Sequence, residues 1–132
     1  MLKSIIFDFD GVILESVDIK TQAFLQLYEN YSLTIQEEVK NYHLKHSGIS
    51  RYEKIFYFQK YLINEDASKT KINTLANEFK KIVLNQVFIC DFVKGSKEFL
   101  NLYKHKIDFH IATGTPQDEI EVIIKNKKIE HF

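Results

Sequence analysis

The sequence predicts an α/β fold, a partial doubly wound Rossmann-like core into which a helical domain is inserted. Two short apolar runs, at residues 4–8 and 107–112, predict parallel core strands. Between residues 15 and 90 the chain has no proline and a single glycine, and its apolar residues recur at helical spacing. We therefore assign residues 1–14 and 92–132 to an incomplete core and residues 15–91 to the helical domain.

Two carboxylates stand at the end of the first predicted strand. Asp8 and Asp10 flank Phe9, and Gly11 follows, where a glycine lets the chain turn without a Cβ in the way. Alternate residues of an extended segment point the same way, so both carboxylates can face one reacting group. Because Asp8 lies inside the apolar run, we expect it to be buried, where a metal ion or hydrogen-bond donors must compensate its charge. The alternative is a loop that turns after an edge strand.

The helical domain is predicted from its caps and its apolar spacing. Thr34 and Ser50 each precede a glutamate by three residues, which is the pattern of a capping box. Apolar side chains recur at intervals of three and four residues, and the whole pattern predicts four helices. The longest series consists of Ile72, Leu75, Ala76, Phe79, Val83 and Val87.

Arg51 is the single arginine of the sequence and follows Ser50 at a predicted helix start. A guanidinium can bind a phosphate or a carboxylate through two parallel hydrogen bonds, which a lysine cannot do. We therefore consider Arg51 and Ser50 candidates for substrate binding. A surface arginine on a helix turn fits the position equally well.

The second predicted strand, at residues 107–112, is followed by Thr113 and Gly114. Thr115 is a predicted N-cap, and Pro116 is the predicted first residue of the next helix. Such a junction presents backbone N–H groups and a hydroxyl to an anion, most often a phosphate. Together with the aspartates of the first strand, Thr113 and Gly114 predict half of a phosphate site, although an ordinary strand-to-helix connection has the same pattern.

Composition limits the partners and the location that we expect. The 18 basic and 18 acidic side chains cancel, so no net charge favours nucleic acid or an anionic membrane as a partner. No apolar stretch is long enough to span a bilayer. The single cysteine, Cys90, cannot form an internal disulfide, and we expect it to be a small core residue of a cytoplasmic protein.

Residues Asp8–Ser16 resemble the first motif of the haloacid dehalogenase-like hydrolases, DxDG(T/V)xx(D/E)S, and Ile111–Gly114 resemble the second motif. Most members of this family are magnesium-dependent phosphatases and phosphomutases. The resemblance implies that Asp8 is the nucleophile that becomes an aspartyl-phosphate and that Asp10 is the general acid and base. It also implies that Thr113 binds the phosphoryl group, and that the Asp8 carboxylate and the Asp10 carbonyl bind Mg²⁺.

The helical domain stands where many members of the family carry a cap that closes over the active site. Segment Ser47–Arg51 is similar to the cap loop of the β-phosphoglucomutase branch, whose arginine contacts the phosphate of the substrate. Lys20 departs from the pattern, because related mutases and phosphatases often have histidine there, and this argues against a mutase. A helical domain without a role at the active site is the alternative.

The resemblance covers the first part of a complete family member. The family pattern continues with a further strand, a lysine beside the nucleophile and acidic ligands for magnesium, whereas this sequence ends at Phe132. Lys125, Lys127 and Lys128 are predicted to form a solvated basic helix end instead of supplying that lysine. Because two strands cannot bury both faces of a sheet, we expect a missing C-terminal segment or self-association.

The resemblance therefore implies a magnesium-dependent phosphohydrolase of the phosphoglycolate phosphatase and β-phosphoglucomutase branch, acting on a small phosphorylated metabolite. Without the later lysine and acidic ligands, the chain alone is expected to be inactive or nearly so. A non-catalytic remnant or binding module of the same fold is the alternative. Cleavage of a carbon–halogen bond is less favoured, because dehalogenases of the family lack the second aspartate.

Overall fold

The computed structural model describes residues 2–130, which form a mixed α/β fold that is mostly helical and contains a small parallel sheet. This confirms the predicted fold class. The elements in chain order are β1 (Ser4–Phe7), α1 (Val17–Leu27), α2 (Leu33–Lys45), α3 (Arg51–Tyr57), a π-helical turn (Phe58–Leu62), α4 (Lys69–Ile89), α5 (Ser96–Tyr103), β2 (Asp108–Ile111) and α6 (Gln117–Asn126). In the described part of the chain, no helix is long and apolar enough to cross a membrane.

The chain forms two compact units. The described residues up to Asp18 and from Leu84 onward form what we call the core unit, and Ile19–Val83 form the helical unit. The four helices predicted in the insert are present as α1 to α4, and α3 continues directly into the π-helical turn.

The sheet of the core unit consists of β1 and β2, which pair in parallel. Ser4 pairs with Asp108 and Phe7 with Ile111, and the Ala112 N–H continues the ladder by donating to the Phe7 carbonyl at 2.8 Å. Each strand has four residues, fewer than the sequence predicts, so Asp8 and Ala112 lie just beyond the strand ends. The two strands therefore end at the same edge of the sheet.

Aromatic packing covers one face of this sheet. The ring of Phe7 makes edge-to-face contacts with Phe109 of β2 and Phe99 of α5, at centroid distances of 5.5 and 6.1 Å. On the opposite face, the side chain of Ile6 is 70% exposed. An exposed apolar residue in a strand is expected where only one face of the sheet is covered.

The helical unit has an aromatic core of its own. Phe24 of α1 packs against Phe58 and Phe79, at centroid distances of 5.6 and 4.2 Å. Beside them, the buried Tyr28 hydroxyl donates to Oε1 of Gln59 at 3.2 Å, so the polar groups in this core are paired. Phe24, Tyr28, Phe58 and Phe79 thus build this core, whereas Tyr52, Phe56 and Tyr61 of the insert are exposed.

Of the two N-caps predicted in the helical unit, one is confirmed and one is wrong. Ser50 is the N-cap of α3, and its hydroxyl accepts a hydrogen bond from the Glu53 N–H at 3.3 Å, as predicted. The prediction for Thr34 was wrong, because Ser32 is the N-cap of α2 and accepts from the Ile35 N–H at 3.3 Å. Helix α2 already begins at Leu33, so Thr34 lies inside its first turn.

Candidate active site

The two aspartates lie directly after β1, on the side of the chain opposite Phe9. Phe9 is 1% exposed, whereas Asp8 is exposed and Asp10 half-buried. The expected burial of Asp8 was therefore wrong. Alternation along the extended chain turns Phe9 into the core, and its neighbours Asp8 and Asp10 are the more accessible residues. The Phe9 N–H donates to Oδ1 of Asp8 at 2.6 Å, which holds this carboxylate beside the backbone.

The turn after Asp10 requires a glycine. Gly11 has φ +76°, and a Cβ at this position would lie 2.5 Å from Cγ2 of Val17. Both the backbone conformation and the close contact exclude a side chain here without a local shift. The turn is closed by the Gly11 N–H, which donates to the Leu14 carbonyl at 2.7 Å.

Ser16 positions the carboxylate of Asp10. Its side chain is 1% exposed, and its hydroxyl donates to Oδ1 of Asp10 at 2.6 Å. A hydrogen bond to an ionised acceptor in a buried position is a strong one. Ser16 is the last residue of the first motif, but the sequence analysis assigned it no role. Its place in the motif was the signal that could have identified it as a site residue.

A returning segment, residues 91–96, fixes the loop that follows the aspartates. The Glu15 N–H donates to the Asp91 carbonyl at 2.9 Å, and the Val93 N–H donates to the Ile13 carbonyl at 3.0 Å. The Ser96 hydroxyl also donates to the Ile13 carbonyl, at 2.9 Å. Backbone pairing thus holds the loop rigidly within the core unit.

Thr113 and Gly114 lie beyond the end of β2, at the same sheet edge as Asp8. The Thr113 hydroxyl is half-buried and accepts a hydrogen bond from the Thr115 N–H at 3.2 Å. Thr115 is not the N-cap of α6, so that prediction was wrong. Pro116 is the N-cap, with φ −53° and ψ 147°, because its extended ψ delays the first helical residue to Gln117.

A cavity of about 360 Å³ adjoins Thr113 and Thr115 in the core unit. Its other walls are mainly apolar and include Phe7 and Ile120, and neither aspartate lines it. We interpret it as loosely packed core between the sheet and α6, not as the pocket in which chemistry occurs.

Arg51 and Ser50 belong to the helical unit. The Ser50 hydroxyl is engaged as the N-cap of α3. The Arg51 guanidinium lies over the ring of Phe79, 4.9 Å from its centre, in a cation–π contact. Their assignment to substrate binding stays a prediction.

Lys127 is engaged within the core unit, contrary to the expectation of a solvated helix end. Its Nζ donates to the carbonyls of Phe88 and Cys90 at 3.1 and 2.5 Å, at the C-terminal end of α4. This position suits a cation, because carbonyls at a helix C-terminus carry partial negative charge. Cys90 is half-buried and not part of the core, and burial raises the pKa of its thiol, which lowers its reactivity.

The aspartates suit a hard cation. Within residues 2–130, no group of three or more His, Cys, Asp or Glu side chains is arranged to hold a metal ion. Mg²⁺, however, usually keeps several waters and is held by one or two carboxylates together with substrate phosphates. Asp8 is exposed at the sheet edge and offers carboxylate oxygens, so the residues present fit that mode of binding.

Comparison with known proteins agrees with these features. A family model described as haloacid dehalogenase-like hydrolase matches residues 5–132. Three solved structures resemble this fold. The putative HAD-hydrolase YfnB from Bacillus subtilis, bound to magnesium, is 14% identical with a TM-score of 0.69. A family IA, variant 3 HAD hydrolase from Entamoeba histolytica is 15% identical with a TM-score of 0.67. A haloacid dehalogenase-like family protein from Streptococcus pneumoniae is 15% identical with a TM-score of 0.62.

The alignments cover nearly all of this chain and part of each other protein. They span 98% of this chain for the Bacillus and Streptococcus structures and 95% for the Entamoeba structure. The corresponding shares of those proteins are 61%, 58% and 55%. The sequence thus spans a little more than half the length of the structures it matches.

Proposed function

The chain belongs to the haloacid dehalogenase-like hydrolases, and on that premise we propose that its core unit carries the phosphoryl-transfer site of a magnesium-dependent phosphatase for a small phosphorylated metabolite. One observation carries the proposal. Asp8 and Asp10 follow β1 at the sheet edge where β2 ends at Ile111 and is followed by Thr113.

Asp8 is the proposed nucleophile. Its exposed carboxylate attacks the phosphorus atom of the substrate, the ester P–O bond breaks, and an aspartyl-phosphate forms on Asp8. The leaving alkoxide takes a proton from Asp10. Water, deprotonated by Asp10, then attacks phosphorus, and the carboxylate of Asp8 is released together with inorganic phosphate.

Ser16 and Gly11 support Asp10 in this proposal. The hydroxyl of Ser16 keeps the Asp10 carboxylate in one orientation, so that the same oxygen can give and take the proton. Gly11 gives the tight turn that places the two side chains together. Thr113 and the Gly114 N–H are proposed to bind the phosphoryl oxygens from the neighbouring strand.

The Asp8 carboxylate and the Asp10 backbone carbonyl would hold the magnesium ion. When bound, Mg²⁺ neutralises charge between the phosphoryl oxygens and the carboxylates. Phosphate chemistry is favoured over carbon–halogen cleavage, because the second aspartate, Asp10, provides a proton donor that an ester leaving group needs. In the helical unit, Arg51 and Ser50 are proposed to contact the substrate.

The proposal is tested by beryllium fluoride, which mimics a phosphoryl group bound to an aspartate. We expect the chain to bind beryllium fluoride in the presence of magnesium, seen as a new resonance by fluorine NMR. Asp8→Asn should abolish this signal. Asp108→Asn, at the opposite end of the same sheet, is the matched control and should preserve it. This test needs no turnover, and hydrolysis of an aryl phosphate can be measured beside it.

Absence of the signal in the wild-type chain, or equal signals in wild type and Asp8→Asn, would contradict the assignment of Asp8. A signal that persists without magnesium would contradict the proposed metal requirement. If the chain binds beryllium fluoride through Asp8 but does not turn over, the site is competent for binding and the non-catalytic alternative is supported.

A further inference from the structure

An open groove of about 500 Å³ lies in the helical unit, between α3 and the start of α4. The rings of Tyr52 and Phe56 line it from α3, and Ala67 and Ile72 supply further apolar surface. The two rings are 48% and 36% exposed. Contiguous apolar surface in a concave, accessible place is typical of an interaction site.

The rim of this groove is mainly positive. Lys69 lines it at the start of α4, where the first turn contains no acidic residue and the helix dipole adds partial positive charge. Nζ of the exposed Lys60 lies over the Phe56 ring, 5.2 Å from its centre. Glu53 also lines the groove, from α3. The groove therefore suits a segment that offers an apolar side chain together with a carboxylate.

The start of α2 is such a segment. Leu33 is 82% exposed, and the exposed Glu37 follows it by four residues, so both lie on one face of the helix. In the groove, Lys69 precedes Ile72 by three residues, which is also about one turn. When a copy of α2 runs antiparallel to α4 with its leucine on Ile72, its glutamate lies beside Lys69. The apolar and charged positions therefore match in spacing and in sign.

The groove and the start of α2 lie at the same end of the helical unit. The Tyr31 hydroxyl donates to Oε2 of Glu65 at 2.7 Å. Tyr31 is two residues before Leu33, and Glu65 is two residues before Ala67 of the groove. Because the two surfaces are neighbours, a single two-fold axis can bring each leucine of a pair of chains to the groove of the other chain.

We propose that a second copy of this chain docks on the groove, in a two-fold dimer that uses the start of α2 of each copy. Each contact places Leu33 on the apolar floor of the groove and Glu37 beside Lys69, and the contact forms twice. A two-fold contact closes on itself, so association stops at the dimer. The proposal goes beyond the proposed function and uses no residue of the core unit.

The apolar part of the contact is tested by sedimentation velocity. The wild type should convert from monomer to dimer between about 1 μM and about 1 mM. Leu33→Ser should raise the dissociation constant by about tenfold or more, because an apolar side chain is lost from both contacts. Leu44→Ser is the matched control, since Leu44 is 56% exposed at the other end of the same helix. It should associate as the wild type does.

An exchange of charges tests the pairing itself. Lys69→Glu and Glu37→Lys each place like charges in both contacts, and each should weaken the dimer by about tenfold or more. An equimolar mixture of the two variants should dimerise again, because opposite charges then meet in both contacts. Lys81→Glu, at an exposed position further along α4, is the control and should leave the dissociation constant unchanged. This experiment decides the question even if Leu33→Ser does not fold.

A wild-type chain that remains monomeric at about 1 mM would overturn the proposal. Association that Leu33→Ser and Leu44→Ser affect equally would also overturn it, because the copies would then meet at another surface, such as the exposed face of the sheet. A mixture of the charge variants that stays monomeric contradicts the pairing of Glu37 with Lys69. Leu33→Ser should bind beryllium fluoride as the wild type does, so the dimer and the proposed function can fail separately.

Discussion

Replacing the buried Lys54 by methionine should stabilise the helical unit near neutral pH. The pKa of Lys54 falls from 10.5 to about 8 on folding, chiefly through burial. With about 1.4 kcal/mol for each pKa unit, keeping this ammonium inside costs about 3 kcal/mol below pH 8. Methionine has an unbranched chain that can pack against Phe24 without carrying charge. We therefore expect Lys54→Met to gain up to about 3 kcal/mol in the free energy of unfolding at pH 7.

The pH dependence has a defined sign. A base with a lowered pKa in the folded state destabilises the fold fully below that pKa, and the cost disappears as pH rises toward the ordinary value. The stability of the wild type should therefore rise between pH 7 and 9, with the larger part of the gain above pH 8. Lys54→Met should show little change over this range. Burial raises the pKa of Cys90, so this thiol destabilises the fold as pH rises through its ordinary value, which opposes the gain from Lys54 near pH 9.

Urea unfolding, followed by far-ultraviolet circular dichroism at pH 7, 8 and 9, measures these differences. The buffers should contain no phosphate, because an anion bound beside Lys54 would reduce the cost of its buried charge. Lys60→Met is the control for loss of a lysine at the surface and should change stability by less than about 0.5 kcal/mol. A less stable Lys54→Met at pH 7, or a wild type whose stability falls between pH 7 and 8.5, would refute the reasoning.

Four further results are expected. Gly11→Ala should destabilise the core unit by more than about 1 kcal/mol in urea unfolding, because alanine disfavours a positive φ. Gly48→Ala, where a Cβ would meet open space, should leave the free energy of unfolding nearly unchanged. Ser16→Ala should weaken beryllium fluoride binding, since Asp10 loses its 2.6 Å hydrogen bond, and unchanged affinity would remove its positioning role. Asp10→Asn should lower turnover of an active protein by about 10²–10⁴-fold, most for poor leaving groups. Arg51→Lys should reduce turnover of the natural ester more than that of an aryl phosphate, and equal losses would assign it to the helical unit's structure.

Local sequence patterns predicted the backbone best where short-range chemistry determines structure. Few backbone conformations fit the sequence Asp8–Gly11. The side chain of Phe9 must be buried, and the turn at position 11 requires a glycine. The parallel pairing of the two strands also followed from their position around a long helical insert. The shared side of the two carboxylates stays a prediction, and Phe9, not Asp8, is the buried residue of this segment.

Other features depend on contacts between distant residues, which local patterns do not contain. Lys127 could not be assigned from sequence, because its partners are carbonyls of Phe88 and Cys90, nearly forty positions earlier. The same holds for Lys54 and His43, which come together from two helices and were not recognised as a pair. Thr34 and Ser32 show a smaller limit, since two hydroxyl residues only two positions apart can each be the N-cap, and the hydrogen bond from the Ile35 N–H identifies Ser32.

The backbone hydrogen bond between Glu15 and Asp91 joins the two segments of the core unit that lead to and from the helical unit. The donor and acceptor atoms of this bond lie 2.9 Å apart, and Leu14 and Phe92 form a β-bridge beside it. The helical unit, Ile19–Val83, is therefore connected to the core unit by two segments that are held together at Glu15 and Asp91. Such a junction tolerates replacement of the inserted segment, because a different insert needs only two ends that lie close together. The insert can consequently change in sequence or length over evolution while the sheet edge of the core unit is kept.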